Sequence, residues 1–453
     1  MITISLLANI ATAQQQKNIP ELLKQYFDLQ QKRIGFNGVV LVARNGEVIS
    51  ENAFGFSSIE LNVPMQTDNK FLIASVSKQF TAMLTVNAVS EGKLHFDDTL
   101  AMFFPEINKL QWRSITIQQL LNHSSGIPHN EGIADYWTGK ALQDLTEAQG
   151  IAAILQMKLL FKPGTDVKYS SPGYMLLYLI LQKIYGTSYS NLLQQKIKTP
   201  LQLTATGEYT SGKIISGMAS PYHLLRDSLI KAPHRSFSLM KGSGNLYSTA
   251  EDLLKWNEDF INNNVWRKSI DAKLSNVFSQ HTINENAYYT NGIFIKPGDE
   301  STGNAFFHGG GSFGCSAITV VYPKDKIIFI LLSNVSFLPV QELWQDAEKI
   351  IFNKPFALPE LNNQTKLSDS EMMHLTGAYE DEQQQMKLLI ITEKNQLYAK
   401  LGNNPPFEIF ATDKMHFFGK KVNVKFTFTQ DESGVVRSVQ TEGRGRKIFF
   451  NKQ

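Results

Sequence analysis

A chain of 453 residues, 42% hydrophobic, 11% aromatic and 19% charged, can bury a substantial core, which excludes wholesale disorder. Its 44 basic and 41 acidic residues give a formal net charge of +3 with no long block of one sign, so composition makes no case for nucleic acid as a partner. The single cysteine, Cys315, excludes an intrachain disulfide and any multi-cysteine metal site.

The first 16 residues carry no charge. Ile2, Ile4, Leu6, Leu7 and Ile10 form a short apolar run that ends in Ala11-Thr12-Ala13, the small-x-small shape of a secretory cleavage site, although the basic opening stretch is missing. Residues 1–14 are therefore expected to be a signal-peptide remnant, and the protein periplasmic or secreted. No other apolar stretch approaches the roughly 20 residues a membrane span needs.

A helix is predicted over Ile19 to Arg33. Next, Gly38 to Ala43 and Val48-Ile49 flank Asn45-Gly46, the strongest short signal for a hairpin. A second hairpin is predicted far downstream, from Ala317 to Tyr322, through Pro323-Lys324-Asp325, to Lys326–Leu332. Between them the apolar spacing is mostly helical: Asp97 to Phe104, Thr116 to Leu121, Leu145 to Leu160, Tyr174 to Tyr185 and Ala250 to Ile261. Trp344 to Phe352 reads as a helix that packs back on the sheet. The expected class is α+β: an antiparallel sheet drawn from both ends of one domain, flanked by helices, with a large helical insertion. That domain is placed at residues 19–354, followed by a polar linker at 355–370. Alternating runs then dominate residues 371–453, as in Val422, Val424, Phe426 and Phe428, and predict a small β-rich, barrel-like domain.

The candidate nucleophile is Ser75, in Ala74-Ser75-Val76-Ser77-Lys78. A serine hydroxyl attacks poorly until a base takes its proton. Positions i and i+3 share a helix face, which sets Lys78 beside it, and a desolvated lysine is held neutral enough to serve. Ser-x-x-Lys alone is a weak signal. Average composition gives about two chance matches in such a length; this chain has four, starting at Ser75, Ser90, Ser228 and Ser238. Context separates the first. Downstream lie Tyr169-Ser170-Ser171 and then His308-Gly309-Gly310-Gly311-Ser312-Phe313-Gly314, a glycine-rich edge that lets backbone approach a substrate closely.

These three segments, in this order, resemble the penicillin-recognising serine hydrolases, in particular the branch of class C β-lactamases, D-amino peptidases, D-alanyl-D-alanine carboxypeptidases and related esterases. Leu120-Leu121-Asn122-His123-Ser124-Ser125-Gly126 and Gly242-Ser243-Gly244-Asn245-Leu246 belong to the same likeness, which runs from about Gly38 to Asn353. It implies a serine β-lactamase-like fold and hydrolysis through an acyl-enzyme. Ser75 would be acylated, Lys78 would be its proton partner, and Tyr169 the second proton-transfer group, its phenolate favoured by the Lys78 cation. The backbone N–H groups of Ser75 and Gly311 would form the oxyanion hole, with Ser171, His308, Gly309, Gly310 and Gly311 contacting substrate.

Two departures shape the substrate expectation. Ser171 stands where many relatives have Asn, which puts binding of a substrate amide and orientation of the lysine in doubt. His308 stands where β-lactamases usually carry lysine, and histidine is only partly charged at pH 7. Small esters, D-amino-acid amides or short peptides are thus favoured over β-lactams, with β-lactamase or D-alanyl-D-alanine carboxypeptidase as alternatives. A non-catalytic penicillin-binding or peptidoglycan-sensing protein is the reading of another class. No cofactor and no metal are expected, since nine histidines include no His-Glu-x-x-His; His123 reads as structural and Cys315 as a small buried residue. Trp112, Trp137 and Phe313 are candidates for either cleft or core. The expected partner is a small-molecule or peptide substrate, without nucleic acid or membrane span.

Overall fold

The computed structural model describes residues 19–225, 228–262, 264–273, 287–361, 363–381, 386–402, 406–420, 424–443 and 446–453; the signal-like residues 1–14 lie outside them. The chain forms two compact units, the larger built mainly from Phe36–Leu224 and Leu229–Phe356, the smaller from Ala357–Gln453.

Helix α1 (Ile19–Ile34) precedes the hairpin of β1 (Gly38–Arg44) and β2 (Glu47–Phe54). Asn45 and Gly46 have φ of 53° and 81°, the two left-handed positions that a tight hairpin turn requires. The remaining strands of the sheet come from the far end of the unit: β3 (Tyr288–Thr290), β4 (Ile293–Lys296), β5 (Ala305–Ser312), β6 (Cys315–Tyr322) and β7 (Ile327–Ser333). Their order is β3-β4-β5-β6-β7-β1-β2, antiparallel throughout, with β1 joined to β7 from Gly38↔Ser333 to Arg44↔Ile327. The sheet therefore closes across the two ends of the unit, as the two predicted hairpins imply. Strands β6 and β7 are buried along their whole length, which explains their unbroken apolar sequence. On β1, alternate residues Val39, Leu41 and Ala43 join the main core beside Phe80 and Trp256.

Helix α2 (Ser77–Ser90) runs through that core. In the helical part, α3 (Ile117–Leu121) and α4 (Glu147–Leu155) each begin with a capping box, Thr116 with Gln119 and Thr146 with Gln149. Helix α5 (Ser171–Tyr185) starts on the Ser170 side chain, which accepts from Gly173 N, and stops at Gly186 with φ 62°. Helix α6 (Ala250–Ile261) follows as predicted. Helix α7 (Val340–Ile351) presents Leu343, Trp344, Ala347, Ile350 and Ile351 as its buried stripe, with Trp344 4.8 Å from Phe307 of the sheet.

The smaller unit opens with α8 (Asp369–Leu375), a helix at the end of the stretch read from sequence as linker. Its signal was present in Ser368-x-x-Glu371, which forms a capping box. Eight strands then close a barrel in sequence order: β8 (Gly377–Asp381), β9 (Met386–Glu393), β10 (Gln396–Leu401), β11 (Phe407–Ala411), β12 (His416–Gly419), β13 (Val424–Gln430), β14 (Val436–Gly443) and β15 (Arg446–Lys452). The closing pairs are Tyr379↔Lys452 and Glu380↔Asn451. Its interior is packed with Tyr379, Leu388, Ile390, Ile409, Phe417, Phe426, Phe428 and Phe450. Closure removes the edges an open sheet would expose.

Candidate active site

The strand pair Phe71–Leu72 and Leu246–Ser248 delivers the chain into the turn Ala74–Val76, from which α2 departs. Ile73 N donates to Leu246 O at 3.0 Å, and Leu246 N donates to Ser77 Oγ at 3.1 Å, so the Ser243–Asn245 loop is tied to the start of α2. Ala74 has φ 44°. A non-glycine residue in that region costs on the order of 1 kcal/mol and persists where its surroundings enforce it. It turns the chain sharply and sets Ser75 at the floor of a cleft of about 510 Å³, lined also by Tyr169, Phe294, His308, Gly309, Gly310, Gly311 and Phe337–Glu342. A cavity of similar size, about 530 Å³, lies at the Arg44 end of β1 beside Lys324 and Lys326; it contains no nucleophile.

Lys78 is fully buried, and its Nζ is 3.2 Å from Ser75 Oγ, 3.0 Å from Ser171 Oγ and 2.8 Å from Ser243 O. Burial drives its pKa well below the ordinary lysine value, and no anion among the described residues offsets that. A neutral amine has two N–H donors and one lone pair. In that state, donation to Ser171 Oγ and Ser243 O would leave the lone pair for the Ser75 hydroxyl, whereas a protonated lysine donates to all three. Ser171 thus orients the lysine, the task put in doubt by the missing Asn; Ser243, the third partner, acts through its carbonyl and so left no side-chain signature.

Tyr169 is placed over the same lysine, with Nζ 4.7 Å from its ring centroid. Its hydroxyl is buried without a hydrogen-bond partner among the described residues. Burial pushes its pKa up, with the nearby Ser75 hydroxyl acting in the opposite sense. Desolvation thus acts against the phenolate, and the Lys78 cation beside it, that the resemblance implies.

Two histidines fix the Tyr169 segment. Ser170 N donates to His123 Nδ1 at 3.2 Å and Ser171 N to His129 Nδ1 at 3.0 Å, so both rings hold the first backbone amides of α5. The His123 ring lies 4.3 Å from that of Tyr169. Burial and the neighbouring Lys78 depress both, His129 to about 4. His308 is also buried, held down to about 3 by burial and then by Lys78. Its Nδ1 donates to Gly309 O at 2.7 Å, which leaves Nε2 to accept from the Tyr289 hydroxyl at 3.3 Å. It is a neutral wall of the cleft.

Strand β5 passes Ser75 at contact distance. A Cβ on Gly310 would sit 2.3 Å from Ile73 O and 3.0 Å from Ser75 N, so only glycine allows the approach. Cys315 is buried and its thiol pushed up to about 12, in keeping with a packing role. Of the three aromatic candidates, Trp112 belongs to the core, whereas Trp137 is 52% exposed and 6.3 Å from Phe313. Sequence reasoning missed Phe294 and the Phe337–Glu342 loop, neither of which carries a motif.

An antiparallel sheet backed by helices, with a serine and a lysine at the start of a buried helix and a tyrosine opposite, defines a serine hydrolase fold. The chain belongs to the beta-lactamase family, whose sequence profile matches residues 18–348. Over 442 residues it is 25% identical to penicillin-binding protein 4* of Bacillus subtilis, covering 92% of this chain and 95% of that protein. The octameric penicillin-binding protein homologue from Pyrococcus abyssi superposes with a TM-score of 0.67 at 22% identity, covering 95% of this chain and 99% of that one. The D-amino acid amidase from Ochrobactrum anthropi SV3 gives 0.63 at 19% identity, covering 75% and 99%.

Proposed function

We propose that the protein hydrolyses small esters, D-amino-acid amides or short peptides through an acyl-enzyme on Ser75. The observation that carries this is the fully buried Lys78, without a counter-ion among the described residues and 3.2 Å from the Ser75 hydroxyl. Ser75 Oγ attacks the substrate carbonyl while its proton passes to Lys78 Nζ. The oxyanion forms against Ser75 N–H, which has no protein acceptor among the described residues, and Gly311 N–H. Tyr169 then relays the proton from Lys78 to the leaving alkoxide or amine as the carbonyl reforms. Water enters, gives its proton back along the same route, and releases the acid and free Ser75.

Neutral His308 supplies no cation where a β-lactam carboxylate would be bound, which supports esters and amides over β-lactams. The similarity to a D-amino acid amidase points the same way. The signal-like residues 1–14 support a periplasmic or secreted location.

Intact-mass analysis after fluorophosphonate treatment is expected to show one adduct in the wild type and none in Ser75→Ala. Lys78→Ala and Tyr169→Phe are each expected to lower kcat by about 10²–10⁴-fold, the usual worth of positioned proton transfer. Wild-type turnover in either variant removes the mechanism. Nitrocefin hydrolysed faster than short p-nitrophenyl esters and D-aminoacyl anilides overturns the substrate class.

A further inference from the structure

Phe337 stands at φ 52°, in the left-handed region that a bulky residue seldom enters. Its neighbours hold it there. Ser336 N donates to Tyr222 O at 3.0 Å, and Leu338 N donates to Ser316 Oγ at 2.8 Å, a hydroxyl that itself donates to Val335 O at 2.7 Å. Ser336 and Leu338 are both buried, so the backbone is pinned on either side of Phe337, to the Tyr222 segment and to β6. The ring between them is 51% exposed. Folding gains little from a strained backbone that leaves its side chain half in solvent, and strain of this kind belongs to sites rather than to cores.

The ring lines the Ser75 cleft, where Leu338, Pro339 and Val340 continue an apolar wall. It rests on the glycine-rich strand: a Cβ on Gly311 would lie 3.5 Å from Phe337 Cδ1 and 4.0 Å from Cε1. On another flank the Phe313 ring meets it edge-on, with centroids 5.5 Å apart and planes at 82°. Gly311 and Phe313 thus fix the ring beside the strand whose Gly311 N–H is assigned to the oxyanion, within reach of a group attached to the carbonyl that Ser75 attacks.

We propose that Phe337 is a specificity-determining residue, a shelf for an aromatic or extended apolar group attached next to the scissile carbonyl. Burial and ring-on-ring contact favour such a group over a methyl or ethyl. The assignment rests on the hydrolase reading and narrows its substrates to esters and amides with an arylacyl or arylalkyl part.

Ethyl acetate, ethyl phenylacetate and benzyl acetate, followed by acid release in a pH-stat, place a ring on neither side, on the acyl side or on the leaving side of the carbonyl. The wild type is expected to favour one of the aromatic esters over ethyl acetate by about 10-fold or more in kcat/KM, the scale of burying much of a ring against another. In Phe337→Ala that ratio is expected to drop several-fold, and in Phe337→Tyr, which keeps the ring, to stay within about twofold of the wild type. No preference in the wild type, or a preference that survives Phe337→Ala, overturns the assignment. If Phe337→Ala does not fold, Phe337→Gly carries the test, because glycine adopts a positive φ without strain: the same drop is expected, and an unchanged ratio refutes the shelf. Saturation-transfer NMR with phenylacetamide and N-benzylacetamide reads ring contact without turnover. The aromatic protons of at least one are expected to receive saturation from the wild type and clearly less from Phe337→Gly; equal transfer from both proteins overturns the assignment. Esters left intact with that difference present remove the hydrolase reading and keep the shelf, whereas hydrolysis with a flat ratio removes the shelf alone.

Discussion

Three adjacent glycines on β5 differ in what a methyl group would meet, and this makes Gly310→Ala a sharp probe of the site. At Gly310 the added Cβ falls 2.3 Å from Ile73 O, 3.0 Å from Ser75 N and 3.2 Å from Ala74 Cβ. Ordinary contact begins near 3.4 Å, so strand and turn must separate by about 1 Å. All three atoms that resist belong to the turn carrying the nucleophile, so the displacement falls on Ser75. A misplacement of that size can cost about 10²-fold in rate, and overpacking of a rigid site costs about 1–3 kcal/mol in stability. At Gly309 the nearest atom would be Val340 Cγ2 at 3.9 Å, and at Gly311 Phe337 Cδ1 at 3.5 Å, both ordinary contacts. Fluorophosphonate labelling rates, followed by intact mass and paired with thermal melts, are expected to separate Gly310→Ala from Gly309→Ala by at least an order of magnitude. Labelling of the two variants within about threefold of each other would refute the reasoning, since 1 Å at the nucleophile carries far more than that.

Two further predictions concern pH. Lys78 titrates well below its unfolded value near 10.5, so between the two the unfolded chain holds the extra proton and stability rises with pH. Lys78→Met is therefore expected to be more stable than the wild type at pH 7, with the gap closing by pH 9.5 in parallel melts; a gap independent of pH would mean that the lysine is charged in the fold. His308 and His129, held at about 3 and about 4, stay neutral in the fold while the unfolded chain protonates below 6.5. Each then removes up to about 1.4 kcal/mol of stability per pH unit as pH falls towards its folded value. Urea unfolding from pH 6.5 to 4.5 is expected to show a slope one proton smaller in His129→Gln, and an unchanged slope would place the charge elsewhere.

Much of this was legible in the residues. Asn45-Gly46 announced the hairpin because two left-handed positions admit few other pairs, and the apolar runs of β6 and β7 announced strands buried on both faces. Ser75, Lys78 and Tyr169 were found through ordered motifs, and the fold brings them together. What stayed hidden acts through backbone or through burial. Ser243 meets Lys78 with its carbonyl, a group every residue possesses. His129 holds Ser171 N from a loop with no fixed spacing to it. Burial shifts the pKa of Lys78 down and that of Tyr169 up, which pair proximity alone does not reveal.

The pairing of β1 with β7 also sets a timetable. Ser75, Lys78 and Tyr169 are synthesised long before Gly310 and Gly311, and the sheet that carries those glycines needs Ser333 opposite Gly38. At about 5–20 residues per second, the nucleophile waits on the order of 10–50 s for the strand that completes its pocket. Ser75, Lys78 and Tyr169 are therefore all present in the chain before the strand that completes their geometry. The same pairing makes sheet closure a contact of very long sequence range, a slow step in which β1 presents an apolar edge with no partner. Sheet closure and completion of the pocket thus depend on the same pairing, that of β7 with β1.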